Sequence, residues 1–243
     1  MKILFIIITV YITGLIPSTV LATMNNAMCS SNGYTIFTIN GVITDKDGAI
    51  LNRDSLRDIL LPNYNNESVT VDFFLNESHG GGILDLTDSA RQAFLGQTSD
   101  YDLVNMLNDA SDKITTQKVL LVAHSQGNFY ANNFYDTVVD QMGGIPAESL
   151  GVYGVASPAD HVAGNGKYIT SSTDNVINSV RAFSDNVLPS NTTIPLKPDD
   201  TSFLRGHPFS SVYLAGKGAR IVTEIQSSLD KLSLGQLKSR KGP

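Results

Sequence analysis

The chain has 243 residues, of which 42% are hydrophobic and 16% are charged. This length and composition are those of one globular domain with a full hydrophobic core. The formal net charge of -6 argues against a nucleic-acid-binding surface, because such a surface needs a clustered basic face. A single cysteine excludes an intramolecular disulfide, so the fold has to be stable without cross-links.

The start of the chain has the pattern of an export signal. Lys2 supplies a positive charge, an apolar stretch covers residues 3–16, and small residues suited to cleavage end at Ala22. A membrane anchor is the alternative, but the stretch is shorter than the roughly 20 apolar residues of a membrane span. We therefore predict a signal peptide over residues 1–22 and an exported domain, periplasmic or secreted, over residues 23–243.

The predicted elements alternate between strands and helices along the chain. β-branched, aromatic or apolar runs bounded by turn residues predict strands over residues 34–39, 69–75, 119–123, 149–156, 167–170 and 179–183. Helical spacing predicts helices over residues 53–61, 84–95, 101–114, 127–142 and 220–234. A segment rich in proline, asparagine, threonine and aspartate predicts a long loop over residues 186–205. The alternation predicts an α/β fold, a three-layer α/β/α sandwich with a mostly parallel sheet.

Several chemically useful residues fall directly after predicted strands. They are Asn40-Gly41, His79, Ser125 and Asp174. Ligands of mostly parallel sheets bind beyond the carboxyl ends of the strands. We therefore expect these residues to share one edge of the sheet.

Ser125 stands where an apolar strand stops and a helix begins. In the segment Ala123-His124-Ser125-Gln126-Gly127, the small Ala123 leaves room for a tight turn and Gly127 lets the helix approach the strand. This layout is that of a nucleophile elbow, which exposes a serine hydroxyl. A simple serine helix cap is the alternative, but the position between a buried strand and a long helix favours the nucleophile. Such a serine needs a base, an acid that orients the base, and donors for an oxyanion.

The base has to be one of four histidines. His124 adjoins the serine, so its side chain should point away, and His79 precedes the serine, against the usual order of serine, acid and histidine. His161 follows the serine but leaves no suitable acid between them. His207 lies after the long loop and before the last helix, which predicts it as the base, with a surface histidine as the alternative.

Two aspartates are candidates for the acid. Asp174 follows the predicted strand that comes next after residues 149–156, where this kind of fold places its acid. Asp185 lies closer to His207 along the chain and precedes a valine-containing turn. Strand order favours Asp174 and leaves Asp185 as the alternative, and whichever is not the acid is expected to cap a turn.

Two main-chain N–H groups are needed for an oxyanion. One is expected from Gln126, directly after the nucleophile, and the other from the loop that begins at Asn40-Gly41, two strands before the nucleophile strand. The glycine-rich segment His79-Gly80-Gly81-Gly82 is a competing donor, although it follows the wrong strand by this count. Its other interpretation is a flexible loop at the rim of the site.

Several short segments together resemble the α/β-hydrolase superfamily, and within it a group of bacterial, lipase-like hydrolases. The segments are Phe37-Thr38-Ile39-Asn40-Gly41, residues 76–85, residues 123–128, Gly206-His207-Pro208-Phe209 and Tyr213-Leu214. Because little chain precedes Tyr34, the resemblance is to a minimal version of that fold, about the size of a cutinase. It implies an exported serine hydrolase that cleaves carboxylic esters through an acyl-enzyme, with Ser125, His207 and Asp174 (or Asp185) as its triad and N–H groups near Gly41 and Gln126 as donors.

The resemblance fixes neither the substrate nor the acceptor. A small-molecule or lipid ester is the expected partner, transient contact with a lipid surface stays open, and neither a metal nor another cofactor is expected. Phospholipase, thioesterase and acyltransferase activities on the same fold are alternatives, because a triad does not determine the leaving group. A catalytically degenerate binding protein is a further alternative. The short interval between residues 156 and 167 leaves no room for a helical lid, although residues 186–205 could cover the site.

Overall fold

The computed structural model describes residues 31–41, 44–75, 105–106, 108–110, 113–114, 116–139 and 144–235. The predicted signal peptide, the predicted helix over residues 84–95 and the segment His79-Gly80-Gly81-Gly82 lie outside these residues. The predicted helix over residues 101–114 is described in part, and residues 105–106, 108–110 and 113 are helical. Within the described part of the chain, no helix combines the length and the apolar character that crossing a membrane requires.

A six-stranded, mostly parallel sheet forms the centre of the described fold. Its strands are β1 (Ser31–Ile39), β2 (Asn63–Tyr64), β3 (Glu67–Phe74), β4 (Thr116–His124), β5 (Leu150–Val155) and β6 (Lys167–Ile169). They are ordered β2-β3-β1-β4-β5-β6, and β2 pairs with β3 in the antiparallel direction while the remaining pairs are parallel. The predicted α/β class with a mostly parallel sheet is confirmed. The central position of β4 explains its continuous apolar run, since both of its faces are covered.

Four helices are described in addition to this sheet. They are α1 (Lys46–Ile59), α2 (Gly127–Val139), α3 (Asn175–Phe183) and α4 (Ala215–Leu229). Single 3-10 turns at Ala147–Ser149 and Ala163–Asn165 flank β5, and a short π-helix at Phe209–Leu214 leads directly into α4. The predicted loop over residues 186–205 contains no helix and no strand apart from one isolated bridge between Ser171 and Thr192.

The alternating side chains of β4 divide the hydrophobic core into two clusters, one on each face of the sheet. Leu120 and Val122 belong to a cluster that includes Ile221 and Ile225 of α4. On the opposite face, Val119, Leu121 and Ala123 of β4 belong to a cluster that includes Phe134 of α2. Each fully buried aliphatic side chain contributes about 1.5–3 kcal/mol, so these two clusters are the main stabilising contacts of the sheet. Side chains of α4 and of α2 therefore pack with alternate residues of β4.

The predicted strand over residues 179–183 is wrong, because this segment belongs to α3. The side chain of Asp174 accepts a hydrogen bond from the N–H of Ile177 and caps the helix, which begins at Asn175, four residues before the predicted strand. Val176, Ile177 and Val180 are buried at helical spacing, which a strand would split between two faces.

Two predicted helices are present with different bounds. The first begins at Lys46 rather than residue 53, because the carboxylate of Asp45 accepts a hydrogen bond from the N–H of Gly48 at 2.8 Å. The last begins at Ala215 rather than residue 220 and ends at Leu229, since the π-helix before it supplies a preformed turn. Helix ends depend on capping contacts that hydrophobic spacing does not report.

Candidate active site

Ser125 occupies a strained turn between β4 and α2. Its φ angle is 57°, in the left-handed region that non-glycine residues seldom adopt. Such a conformation costs on the order of 1–3 kcal/mol and persists only where neighbouring contacts enforce it. The N–H of Ser125 donates to the carbonyl of Val155 at 3.0 Å, and the side-chain amide of Asn128 donates to the carbonyl of Ser125 at 2.8 Å. Hydrogen bonds on both sides of the residue therefore hold the turn in place.

The turn also needs the small residue at position 127. A β carbon on Gly127 would stand 2.6 Å from the carbonyl oxygen of Ile39 and 2.8 Å from that of Asn40. Both contacts are with main-chain atoms, which cannot swing aside. Gly127 therefore lets α2 begin directly against the end of β1, whereas the sequence pattern predicted a close approach to the strand that ends before Ser125.

His207 contacts the hydroxyl of Ser125. Its Nε2 lies 2.9 Å from Oγ of Ser125, and both residues are more than nine-tenths buried. His207 comes from the loop that precedes the π-helix, where its own N–H donates to the carbonyl of Leu204 at 2.9 Å. The distance is that of a hydrogen bond in which the hydroxyl donates to the imidazole.

Asp174 lies on the other side of the same imidazole. Its two carboxylate oxygens are 3.0 and 2.9 Å from Nδ1 of His207. A carboxylate can only accept here, so Nδ1 carries the hydrogen and Nε2 presents its lone pair to Ser125. The structure thus brings together Ser125, His207 and Asp174 in one hydrogen-bonded series.

The electrostatics of Asp174 favour its ionised form. Full burial by itself raises the pKa of this carboxyl, but the charge and hydrogen bond of His207 lower it more, together with the N–H of Ile177 and the hydroxyl of Tyr213. The net result is a pKa below the ordinary value for aspartate. An ionised Asp174 accepts the hydrogen on Nδ1 and so holds the imidazole in the tautomer just described.

The alternative acid, Asp185, lies apart from this series. It is exposed, in a bend that follows the end of α3 at Phe183. Asp174 directly precedes α3, at the edge of the sheet where the parallel strands end. This position brings its carboxylate to the imidazole of His207. Of the two aspartates, the structure therefore places Asp174 at His207.

Main-chain contacts join the segment of Asp174 to that of His207. The N–H of Asn175 donates to the carbonyl of Arg205 at 3.1 Å. Gly206 has a φ of 77°, and a β carbon there would stand 2.4 Å from the carbonyl oxygen of Thr173. The residues that flank Asp174 and His207 are therefore packed backbone against backbone, which restricts the separation of these two side chains.

The two predicted oxyanion donors adjoin Ser125 in different ways. Gln126 follows it in the turn, and Gly41 approaches it through space from the end of β1. A β carbon on Gly41 would stand 2.9 Å from Oγ of Ser125. The competing donor segment, His79-Gly80-Gly81-Gly82, lies outside the described residues.

Tyr213 also contacts Asp174, which the sequence did not predict. Its hydroxyl donates to Oδ2 of Asp174 at 2.8 Å and accepts from the N–H of Ser171 at 3.0 Å. Tyr213 is fully buried on the π-helix, and burial raises the pKa of its hydroxyl far above the ordinary value, so the group keeps its proton. The one feature of the sequence that could have indicated this contact is general: a buried tyrosine hydroxyl needs a hydrogen-bond partner.

The two remaining described histidines differ in their position. His161 is exposed and pairs with Asp160, with 2.6 Å between Nδ1 and Oδ1. His124 is buried, and its ring lies beside the imidazole of His207, with 4.8 Å between ring centroids. The sequence predicted that the side chain of His124 points away from the serine, but not that it reaches the base. Strand alternation was the missed signal, since Leu120, Val122 and His124 share one face of β4.

The described residues contain no cluster of three or more histidine, cysteine, aspartate and glutamate side chains that could hold a metal ion. Comparisons of the chain with protein-family models, curated proteins and solved structures give no match. We therefore interpret the site from its geometry, in which a hydroxyl, an imidazole and a carboxylate meet where parallel strands end.

Proposed function

We propose that this protein is an exported serine hydrolase that cleaves carboxylic esters, with the three-layer architecture of a minimal α/β-hydrolase. One observation carries the proposal: His207 contacts Oγ of Ser125 through Nε2 and the carboxylate of Asp174 through Nδ1, each within hydrogen-bond distance. The strained backbone of Ser125 supports it further, since strain of this kind is concentrated at functional sites. Export is proposed from the pattern of residues 1–22.

The geometry supports attack by Ser125 on an ester carbonyl. As the bond between Oγ and the carbonyl carbon forms, Nε2 of His207 takes the hydroxyl proton, and Asp174 stabilises the resulting imidazolium. The carbonyl oxygen becomes an oxyanion, for which the N–H groups of Gly41 and Gln126 are the proposed donors. Collapse of this intermediate breaks the ester bond, and the leaving alkoxide receives the proton from Nε2.

Hydrolysis of the acyl-enzyme uses the same groups in reverse. Nε2 of His207 takes a proton from a water molecule while the water oxygen attacks the acyl carbon. The bond to Oγ of Ser125 then breaks, the carboxylic acid leaves, and the proton on Nε2 returns to the serine. The two half-reactions balance without an external oxidant, reductant or metal.

The test is hydrolysis of short and medium acyl p-nitrophenyl esters by the chain from residue 23 onward. We expect Ser125→Ala to abolish turnover and labelling by a fluorophosphonate probe. Ser211→Ala is a matched control, because Ser211 is exposed on the neighbouring π-helix and should retain both. Turnover that survives in Ser125→Ala would overturn the proposal, and an unlabelled wild type would favour a degenerate binding protein.

A further inference from the structure

His124 is the last residue of β4 and directly precedes Ser125. Strand alternation turns its side chain to the face that α4 and the π-helix cover. There its ring lies among three others, with centroid distances of 4.8 Å to His207, 5.6 Å to Phe209 and 6.4 Å to Tyr213. It therefore packs directly behind the imidazole that contacts the serine.

A hydrogen bond determines which ring nitrogen of His124 carries the hydrogen. Its Nε2 lies 2.9 Å from the main-chain carbonyl oxygen of His207. A carbonyl oxygen only accepts, so Nε2 carries the hydrogen and Nδ1 is left with a bare lone pair. Nδ1 is buried and has no hydrogen-bond partner among the described residues, which agrees with a neutral ring.

The surroundings keep this ring uncharged. Burial and, less strongly, the neighbouring His207 lower the pKa of His124, while the hydrogen bond to the carbonyl of His207 and the charge of Asp174 raise it, and the net pKa is about 3. A neutral ring is what the reaction needs at this place. A second cation beside His207 would oppose the imidazolium that forms when the base takes the proton of Ser125.

We propose that His124 is a positioning residue for the hydrolytic reaction: its Nε2–H and its ring fix the backbone and imidazole of His207 between Ser125 and Asp174. The inference rests on the proposed function, because it assigns a role within that reaction. His207 follows a long segment without helix or strand, so its backbone needs fixed points. Two are described, the N–H donated to Leu204 and the carbonyl that accepts from His124.

His124 and Ser125 are neighbours at the end of β4. In the proposed reaction Ser125 is the nucleophile and His124 binds the backbone of the base, His207. A shift at the end of β4 therefore moves Ser125 and His207 together. Reaction rates respond to displacements of about 1 Å at the reacting atoms, by up to ~100-fold. A single N–H donor behind His207 can therefore affect kcat although it touches no substrate.

Two substitutions of His124 test the contribution of its N–H donor and the contribution of its aromatic ring separately. His124→Phe keeps an aromatic ring and removes the N–H, whereas His124→Gln keeps an N–H donor and removes the ring. We expect His124→Phe to lower kcat and the rate of fluorophosphonate labelling of Ser125 by about 10- to 100-fold, with KM changed less than about twofold. His124→Gln should recover part of this loss. His161→Phe, at the exposed histidine, is the control and should behave as the wild type.

A spectroscopic measurement on the wild type tests the bond without a variant. Nitrogen-15 NMR should show His124 neutral with its hydrogen on Nε2, and a downfield proton resonance should report the hydrogen on Nδ1 of His207. His124→Phe should weaken that downfield resonance. The opposite tautomer of His124 would overturn the inference, even if the variants fail to fold.

The failures of the two proposals are distinguishable. If folded His124→Phe keeps the kcat and labelling rate of the wild type, the positioning role is wrong, while labelling of Ser125 still supports a serine hydrolase. If wild-type Ser125 is never labelled and no ester is turned over, the proposed function fails, and the role of His124 within it fails with it.

Discussion

Gly41 and Ser125 are in direct contact across the end of the sheet. A β carbon at position 41 would stand 2.5 Å from Cβ of Ser125 and 2.9 Å from its Oγ. The first distance is shorter than two carbon atoms allow, and Ser125 cannot withdraw because its turn is fixed by hydrogen bonds on both sides. The end of β1 therefore has room for a peptide group next to the nucleophile but not for a methyl group.

Gly41→Ala should inactivate the protein. The added methyl group displaces Oγ of Ser125 from His207 or moves the main chain of residue 41 away, and either shift impairs attack and oxyanion binding. We expect kcat for p-nitrophenyl esters to fall by about 100-fold or more, the scale of losing one oxyanion donor. Gly218→Ala is the matched control. Gly218 lies within α4, and a β carbon there meets only Ile59, at 3.7 Å. It should keep full activity and gain up to about 1 kcal/mol of stability.

Asp174→Asn should lower kcat by roughly 10⁴-fold, because an amide in place of the carboxylate favours the wrong tautomer of the imidazole. Asp185→Asn has the same chemistry at an exposed position and should retain wild-type kcat. Steady-state kinetics of the two purified variants with one soluble ester decides between them. The reverse ranking would make Asp185 the acid and would contradict the assignment from the structure.

Tyr213→Phe leaves the buried N–H of Ser171 without its acceptor and removes one of the two donors to Oδ2 of Asp174, which keeps Nδ1 of His207. An unsatisfied buried N–H costs about 1–3 kcal/mol, so we expect a clear loss in the free energy of unfolding. The pKa of Asp174 should rise, because one of the groups that lower it is gone. Urea titration and kcat of the variant measure both effects. Tyr168→Phe is a control, since that hydroxyl donates to the carbonyl of Pro189 in an exposed contact.

The free energy of unfolding should depend on pH through His124. The pKa of His124 is about 3 in the folded protein and about 6.5 in the unfolded chain, so between these values the unfolded state binds more protons. Stability from the neutral ring is therefore complete above about pH 6.5 and declines as the pH falls toward 3. From well above pH 6.5 down to pH 5 the decline from this one group is about 2 kcal/mol.

His124→Gln removes the titrating ring and should flatten the curve over that range. Urea unfolding of both proteins at several pH values gives the comparison, and the difference between the two curves isolates the contribution of position 124. Equal slopes would mean that His124 is accessible to protons in the folded state. That result would contradict the burial on which its neutral form depends.

The sequence predicted those features that depend on neighbouring residues. The apolar run up to Ala123 predicted a central strand, and the small residue at position 127 predicted the turn that presents Ser125. Chain order then selected His207 and, between two aspartates, Asp174, and the structure brings these two residues together. Each of these inferences depends only on the spacing or the order of residues along the chain, and folding does not change either.

One local capping contact and several contacts between distant residues were missed. The strand predicted over residues 179–183 is helical because the first turn of α3 is capped by Asp174, a contact that the apolar pattern of the segment does not show. Tyr213 reaches the acid only after the π-helix packs onto the sheet. His124 was predictable in part, since alternation along β4 gives its face, but its partner comes from a loop 83 residues later in the chain.

The carboxylate of Asp174 also caps the N-terminus of α3. Its Oδ1 accepts the N–H of Ile177 that begins α3 while lying 3.0 Å from Nδ1 of His207. Fraying of that one turn would release the acid from the base while the sheet stays intact. Thermal inactivation should therefore follow a local opening, at a lower temperature than the cooperative melting of the core.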